Sequence, residues 1–189
     1  MPVGLFFGSF NPIHNGHVGI ARALLEGGWC REVWFVVSPR NPFKREEGLL
    51  PEEERLAIVE AAIAGERGMR ACDAEFDMPR PSYTADTLRR LMAARPGERF
   101  ALVMGADNVA RFTGWKDFRW IEEHVPIFVY PRRDAQVELP PEMGATLVDA
   151  PLFPLSATEI RGRLRRGEDV SAYVPAGALP LVAAAYGKR

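Results

Sequence analysis

At 189 residues and 47% hydrophobic, the chain is long enough to bury a full core in one compact domain. Its 24 Lys and Arg nearly balance 25 Asp and Glu, a formal net charge of −1. That balance removes any global attraction to nucleic acid or an acidic membrane and makes a small molecule the expected partner. No apolar run reaches the roughly 18 residues of a membrane span, and Met1-Pro2-Val3-Gly4-Leu5-Phe6-Phe7 lacks a basic leader, so a cytoplasmic protein is expected.

Short apolar runs without alternation recur along the chain, as expected of parallel strands buried on both faces. They predict strands over 3–8, 32–38, 69–73, 99–105, 126–130 and 146–149. Helical spacing predicts helices over 17–26, 52–64, 84–94, 157–166 and 179–186; the second opens with Glu52, Glu53 and Glu54, where the helix dipole favours acid. The alternation of strand and helix predicts an α/β fold, a Rossmann-like doubly wound parallel sheet over about 1–155. Residues 156–189 then form a small C-terminal helical part of the same single domain. The Pro- and Gly-bearing stretches 39–50, 77–82 and 132–144 read as long loops, and in such sheets ligands bind where loops leave the carboxyl ends of the strands. Cys30 and Cys72 are far apart and read as buried thiols.

The first strand runs into Gly8-Ser9-Phe10-Asn11-Pro12-Ile13-His14-Asn15-Gly16-His17. A glycine after a strand lets the backbone turn closely, so the amides of Ser9, Phe10 and Asn11 can approach a phosphate. His14 and His17, three apart as a helix begins, can both face its N-terminus, an anion site of free N–H groups. Gly16 between them removes a side chain that would block a ligand. The arrangement suits a triphosphate attacked at its α-phosphorus, with the histidines as donors to developing charge and not as nucleophiles. Zinc binding by the pair is disfavoured, because the chain has three histidines and no nearby cysteine.

Near the other end, Leu155-Ser156-Ala157-Thr158-Glu159-Ile160-Arg161 has the form of a capping box. Arg161, one turn into that helix, can join Ser156, Thr158 and the free amides around a phosphate tail. Arg163, Arg165 and Arg166 read as a solvated face.

The opening segment resembles the (H/T)-x-G-H signature of a nucleotidyltransferase superfamily that includes class I aminoacyl-tRNA synthetases and cytidylyltransferases. More closely it is similar to the bacterial nicotinate-nucleotide adenylyltransferase family, whose usual opening carries Asp where this chain has Asn11. Residues 156–161 resemble that family's second signature. The resemblance implies transfer of AMP from ATP to nicotinate mononucleotide, with release of pyrophosphate, in NAD biosynthesis. It further implies that Thr84 and its neighbouring amides, in Ser82-Tyr83-Thr84-Ala85-Asp86-Thr87, meet the nicotinate carboxylate, that Trp115 stacks on the pyridine ring, and that Asp107 of Gly105-Ala106-Asp107 contacts the adenosine ribose. Lys44 falls in a stretch resembling the loop that brings a basic residue to the phosphates, and Arg132, after the fifth strand, is a further substrate-binding candidate.

The attacking 5′-phosphate has a second pKa near 6 and is largely dianionic at pH 7, so no protein base is required. Catalysis reduces to positioning and charge neutralisation by His14, His17, Lys44, Arg161 and a Mg2+ delivered with ATP. Rival readings are a nicotinamide-mononucleotide or phosphopantetheine adenylyltransferase and, in another class, a non-catalytic nucleotide sensor. A synthetase fragment lacks a basic surface for RNA. A homo-oligomer is left open.

Overall fold

The computed structural model describes residues 1–39, 48–132 and 139–187. Its strands are β1 (Val3–Gly8), β2 (Glu32–Val37), β3 (Met69–Cys72), β4 (Phe100–Gly105), β5 (Ile127–Tyr130) and β6 (Ala145–Leu147). They form one sheet in the order β3-β2-β1-β4-β5-β6, with every neighbouring pair parallel.

Successive side chains of a strand point to opposite faces, and here both faces are core. Val33, Phe35 and Val37 of β2 enter one apolar cluster while Trp34 and Val36 enter the other. β4 divides the same way, Ala101 and Val103 against Phe100, Leu102 and Met104. This is why the runs carry no polar alternation. The first cluster is covered by α1 (Asn15–Glu26), α2 (Glu52–Ile63), α5 (Ala157–Arg165) and α6 (Leu179–Tyr186), through Leu24, Ile58, Ile160 and Val182 among others. The second is covered by α3 (Thr84–Ala94), a 3-10 helix over Ala106–Gly114 and α4 (Phe118–His124), through Leu88, Phe112 and Ile121.

Two elements lie outside the sequence expectation. Both are short: Ala106, Val109 and Phe112 recur three apart in the 3-10 helix and Phe118 and Ile121 in α4, but Thr113-Gly114 breaks the run between them before it reaches the length that marks a helix in sequence. The last strand occupies 145–147 and not 146–149, because its ladder with β5 runs from Ile127↔Ala145 to Val129↔Leu147. Beyond it Val148 and Ala150 turn into the first core. α1 starts at Asn15, two residues earlier than read, which places His14 at its N-cap.

Both cysteines are free; Cys30 is buried, with burial pushing its thiol up to about 11, whereas Cys72 is only half-buried, at the carboxyl end of β3. Among the described residues no helix is long and apolar enough to cross a membrane.

Candidate active site

The strand order reverses between β1 and β4, so the segments leaving their carboxyl ends part and leave a crevice between them. A cleft of about 1040 Å³ opens there. Gly8, Ser9, Phe10, Asn11, His14 and His17 line it from the β1 side, and Gly105, Asp107, Trp115 and Arg132 from the β4 and β5 side. Thr84, Ser156, Thr158 and Arg161 close it from α3 and α5. Lys44 lies outside the described residues.

After β1 the chain turns tightly. A Cβ on Gly8 would come within 2.8 Å of the Phe10 ring, which packs edge-on against Phe6 at 5.8 Å and Phe35 at 5.5 Å. Phe10 is therefore a core side chain, and only its main chain is available to a ligand. Its φ of 44° lies in the left-handed region, which costs a non-glycine residue about 1–2 kcal/mol, and burial of the ring offsets that strain.

His14 at the N-cap and His17 at the third helical position stack with ring centroids 3.7 Å apart and planes 25° from parallel. His17 Nδ1 accepts a hydrogen bond from the His14 amide at 3.2 Å, which puts the proton of a neutral His17 ring on Nε2. His14 is 6% exposed, and its Nδ1 has no hydrogen-bond partner among the described residues. Burial first, and the positive charge of Arg132 second, pull its pKa down to about 3. It is neutral at pH 7, so its contribution to developing charge is a donated hydrogen bond and not the unit positive charge that neutralisation implies. Phe153 stacks on the outer face of His14 at 4.7 Å and 8°. A Cβ on Gly16 would meet Phe153 at 2.5 Å, so that glycine makes room for Phe153 rather than for a ligand.

From the far end of the chain, Arg161 reaches the same turn and donates to the main-chain carbonyl of Asn11 and, at 3.2 Å, to Thr158 Oγ1. Its Nε is buried without a partner among the described residues. Ser156 does not join it: the Ser156 hydroxyl donates to Glu159 Oε2 at 2.7 Å and accepts from the Glu159 amide at 3.3 Å, completing the expected capping box.

On the β4 side, Gly105 ends the strand and caps the 3-10 helix, in which Asp107 is the second residue and not the N-cap. The Asp107 carboxylate lies 3.5 Å from Arg132 Nε. Thr84 is the first residue of α3, whose N-cap, Tyr83, supplies no capping side chain. The Thr84 amide donates to no described main-chain carbonyl and faces the cleft at a helix N-terminus, where an anion is favoured. Half-buried Trp115 ends the 3-10 helix, tilted against Phe112 at 5.5 Å. Trp120 lies outside the cleft and is half-buried between the Arg89 guanidinium at 4.3 Å and the His124 ring at 4.4 Å.

A family model described as cytidylyltransferase-like matches residues 5–163, which take in both histidines and Arg161. The chain belongs to that family. It is 45% identical over 171 residues to a probable nicotinate-nucleotide adenylyltransferase of Cytophaga hutchinsonii, covering 90% of this chain and 89% of that one. A probable nicotinate-nucleotide adenylyltransferase of Bacteroides fragilis is 44% identical over 170 residues, 88% of this chain and 84% of its own. Such identity over such coverage sets the chain among the nicotinate-nucleotide adenylyltransferases of the family. Plasmodium falciparum nicotinic acid mononucleotide adenylyltransferase, solved in complex with NaAD, superposes with a TM-score of 0.78 over 96% of this chain and 94% of its own. At 17% identity that likeness speaks for the fold alone.

Against this family background, three cleft-side residues stand out that the sequence did not reveal. Arg55 is 0% exposed, and its guanidinium donates to the carbonyls of Ser9 at 2.6 Å, Ser38 at 2.8 Å, Leu50 at 2.9 Å and Pro39 at 3.2 Å. It pins the segments that leave β1 and β2 together. Tyr186 of α6 donates its hydroxyl to Asn11 Oδ1. Asn11 in turn donates from Nδ2 to the Gly48 carbonyl at 2.9 Å and accepts from the Leu50 amide at 3.3 Å. Position 11 therefore uses both ends of an amide as a brace, a task for which a carboxylate lacks the donor. The third residue is Glu75, buried in the cleft wall beneath α3.

Proposed function

We propose that the chain transfers AMP from ATP to nicotinate mononucleotide, forming nicotinate adenine dinucleotide and pyrophosphate in NAD biosynthesis, and that it works as one domain in the cytoplasm. The observation that carries the reading is the stacked His14 and His17 pair at the N-terminus of α1, set in one cleft with the uncapped N-terminus of α3 and Trp115. One end of such a cleft suits a polyphosphate, and the other suits an aromatic ring bearing a carboxylate.

In the proposed reaction an oxygen of the acceptor's 5′-phosphate attacks the α-phosphorus of ATP in line. The new P–O bond forms as the bond from the α-phosphorus to the oxygen bridging to the β-phosphate breaks, and that oxygen leaves with the electron pair in pyrophosphate. The dianionic acceptor carries no proton that must be removed. His17, through Nε2, and neutral His14 donate to oxygens on which charge builds, while Arg161 and Thr158 hold the departing phosphates and Lys44 adds a further positive charge. Asp107 meets the adenosine ribose, and Arg132 and the main chain of Ser9 through Asn11 hold phosphate oxygens. Mg2+ enters as part of the ATP substrate, held by phosphate oxygens.

At the other end, the Thr84 amide at the start of α3 attracts a carboxylate and offers little to a neutral carboxamide, a basis for preferring the acid. The test is pyrophosphate release from ATP with nicotinate mononucleotide, nicotinamide mononucleotide or phosphopantetheine supplied separately. Release fastest with nicotinate mononucleotide is expected. Fastest release with phosphopantetheine would overturn the acceptor, and release with none would overturn the reaction.

A further inference from the structure

Glu75 is a buried carboxyl group that the proposed reaction does not use. It follows β3, is 2% exposed, and contributes to the cleft wall alongside Ser82, Tyr83 and Thr84. Among the described residues no lysine or arginine pairs with it. Its two oxygens instead accept hydrogen bonds from two hydroxyls, Ser82 Oγ at 2.6 Å and Thr87 Oγ1 at 2.8 Å. A buried acid is costly unless something offsets its desolvation, so its retention here demands a task.

The geometry supplies one. Ser82 precedes the N-cap of α3 and Thr87 is the helix's fourth residue, so Glu75 grips the first turn from both ends. A serine, threonine or acid beside a helix start ordinarily satisfies the free amides itself. Here the Ser82 hydroxyl and the Glu75 oxygens are engaged with each other and with Thr87, and neither Ser82 nor Glu75 accepts from the Thr84 amide. The Thr84 amide stays open at the cleft while the turn that carries it is held fixed.

We infer that Glu75 is a positioning residue for substrate selection: it holds the α3 N-terminus, uncapped, at the orientation that receives the carboxylate of the acceptor and discriminates against the carboxamide. The inference rests on the proposed acceptor. It also opposes a simpler alternative. A negative group in that wall acting only through its field would repel the acid, so its removal would raise preference for the acid, whereas loss of a positioning strap lowers it.

The experiment measures kcat/KM for nicotinate and nicotinamide mononucleotides in the wild type, Glu75→Ala and Glu75→Gln, with the KM for ATP and the melting temperature as controls. The wild type prefers the acid. Glu75→Ala lowers the acid-to-amide ratio about ten-fold and leaves the KM for ATP within about two-fold. Glu75→Gln, which retains one accepting oxygen and an amide that a rotated hydroxyl can accept from, keeps most of the ratio. A ratio that rises in Glu75→Ala, or that stays constant while only the melting temperature falls, overturns the inference and leaves the proposed function standing. A wild type with no preference for the acid overturns the acceptor assignment and this inference with it. Ser82→Ala and Thr87→Val each remove one hydroxyl and carry the same test if Glu75→Ala does not fold; an unchanged ratio in both overturns the inference.

Discussion

The phosphate side of the cleft and its pyridine side are held by different physics. Around the turn after β1, Asn11, His14 and Arg55 are buried, and their contacts run to main-chain groups and to neighbouring rings. Around α3 and Trp115 the rim is tied by exposed and half-exposed ions: Lys116 to Asp86 at 2.7 Å and Arg89 to Asp117 at 2.6 Å, with the Lys116 ammonium 5.1 Å over the Tyr83 ring. Exposed pairs of this kind contribute about 0–1 kcal/mol each, whereas orphaning a buried polar group costs about 1–3 kcal/mol. The β1 side is thereby rigid, as fits in-line positioning of phosphorus, and the rim yields, as fits admitting and releasing a ring. The buried Glu75 strap is the exception on the softer side.

Substitutions on the two sides should fail differently. His17→Ala is expected to lower kcat by about 10²–10³ with the melting temperature nearly unchanged, the magnitude typical of losing one preorganised donor. Steady-state rates and a thermal melt decide it, and near-normal turnover would remove the role of His17. Arg55→Met strips the donor from four carbonyls, two of them buried, and should destabilise the fold by about 3 kcal/mol or more in urea unfolding. A loss below about 1 kcal/mol would mean that Arg55 is not the pin.

His14 yields a smaller, pH-dependent effect. Its folded pKa of about 3 lies below its unfolded value of 6.5, so the unfolded chain binds a proton that the folded chain refuses between those values. The stability tied to neutral His14 is full above pH 6.5 and is lost as pH falls toward 3. The melting temperature of His14→Gln should accordingly fall less between pH 7 and pH 4.5 than that of the wild type. Equal losses would place a protonated His14 in the folded state. On the rim, Trp115→Ala should raise the KM for the mononucleotide by up to about ten-fold, in line with the 0.5–1.5 kcal/mol of an aromatic contact, without altering the KM for ATP or stability. A change confined to ATP would put that ring against adenine.

The strands were legible because a parallel sheet covered on both faces turns each one into an unbroken apolar run, and the opening motif because glycine and paired histidines follow such a run. Residues 106–124 were not, since the apolar spacing at 106, 109 and 112 and at 118 and 121 is split by Thr113-Gly114 into two spans too short to read as helices. Arg55 hid in a helix that opens Glu-Glu-Glu-Arg, although a signal was there: it shares the apolar stripe of Ile58, Val59 and Ala62, where a charge has no reason to be unless something buried needs it. Glu75 and Tyr186 leave no such mark, because their partners are far away in sequence or are ordinary hydroxyls. Asn11 reads as a lost charge when set beside the family's usual aspartate. Its two-ended brace to Gly48, Leu50 and Tyr186 makes it a gained donor.

The most direct test resolves the products of ATP and nicotinate mononucleotide incubated with the protein, beside the His17→Ala variant at equal concentration. Pyrophosphate and a nicotinate adenine dinucleotide are expected in equal amounts from the wild type and almost none of either from the variant. ADP with free phosphate in place of pyrophosphate, or equal product from both proteins, would contradict it.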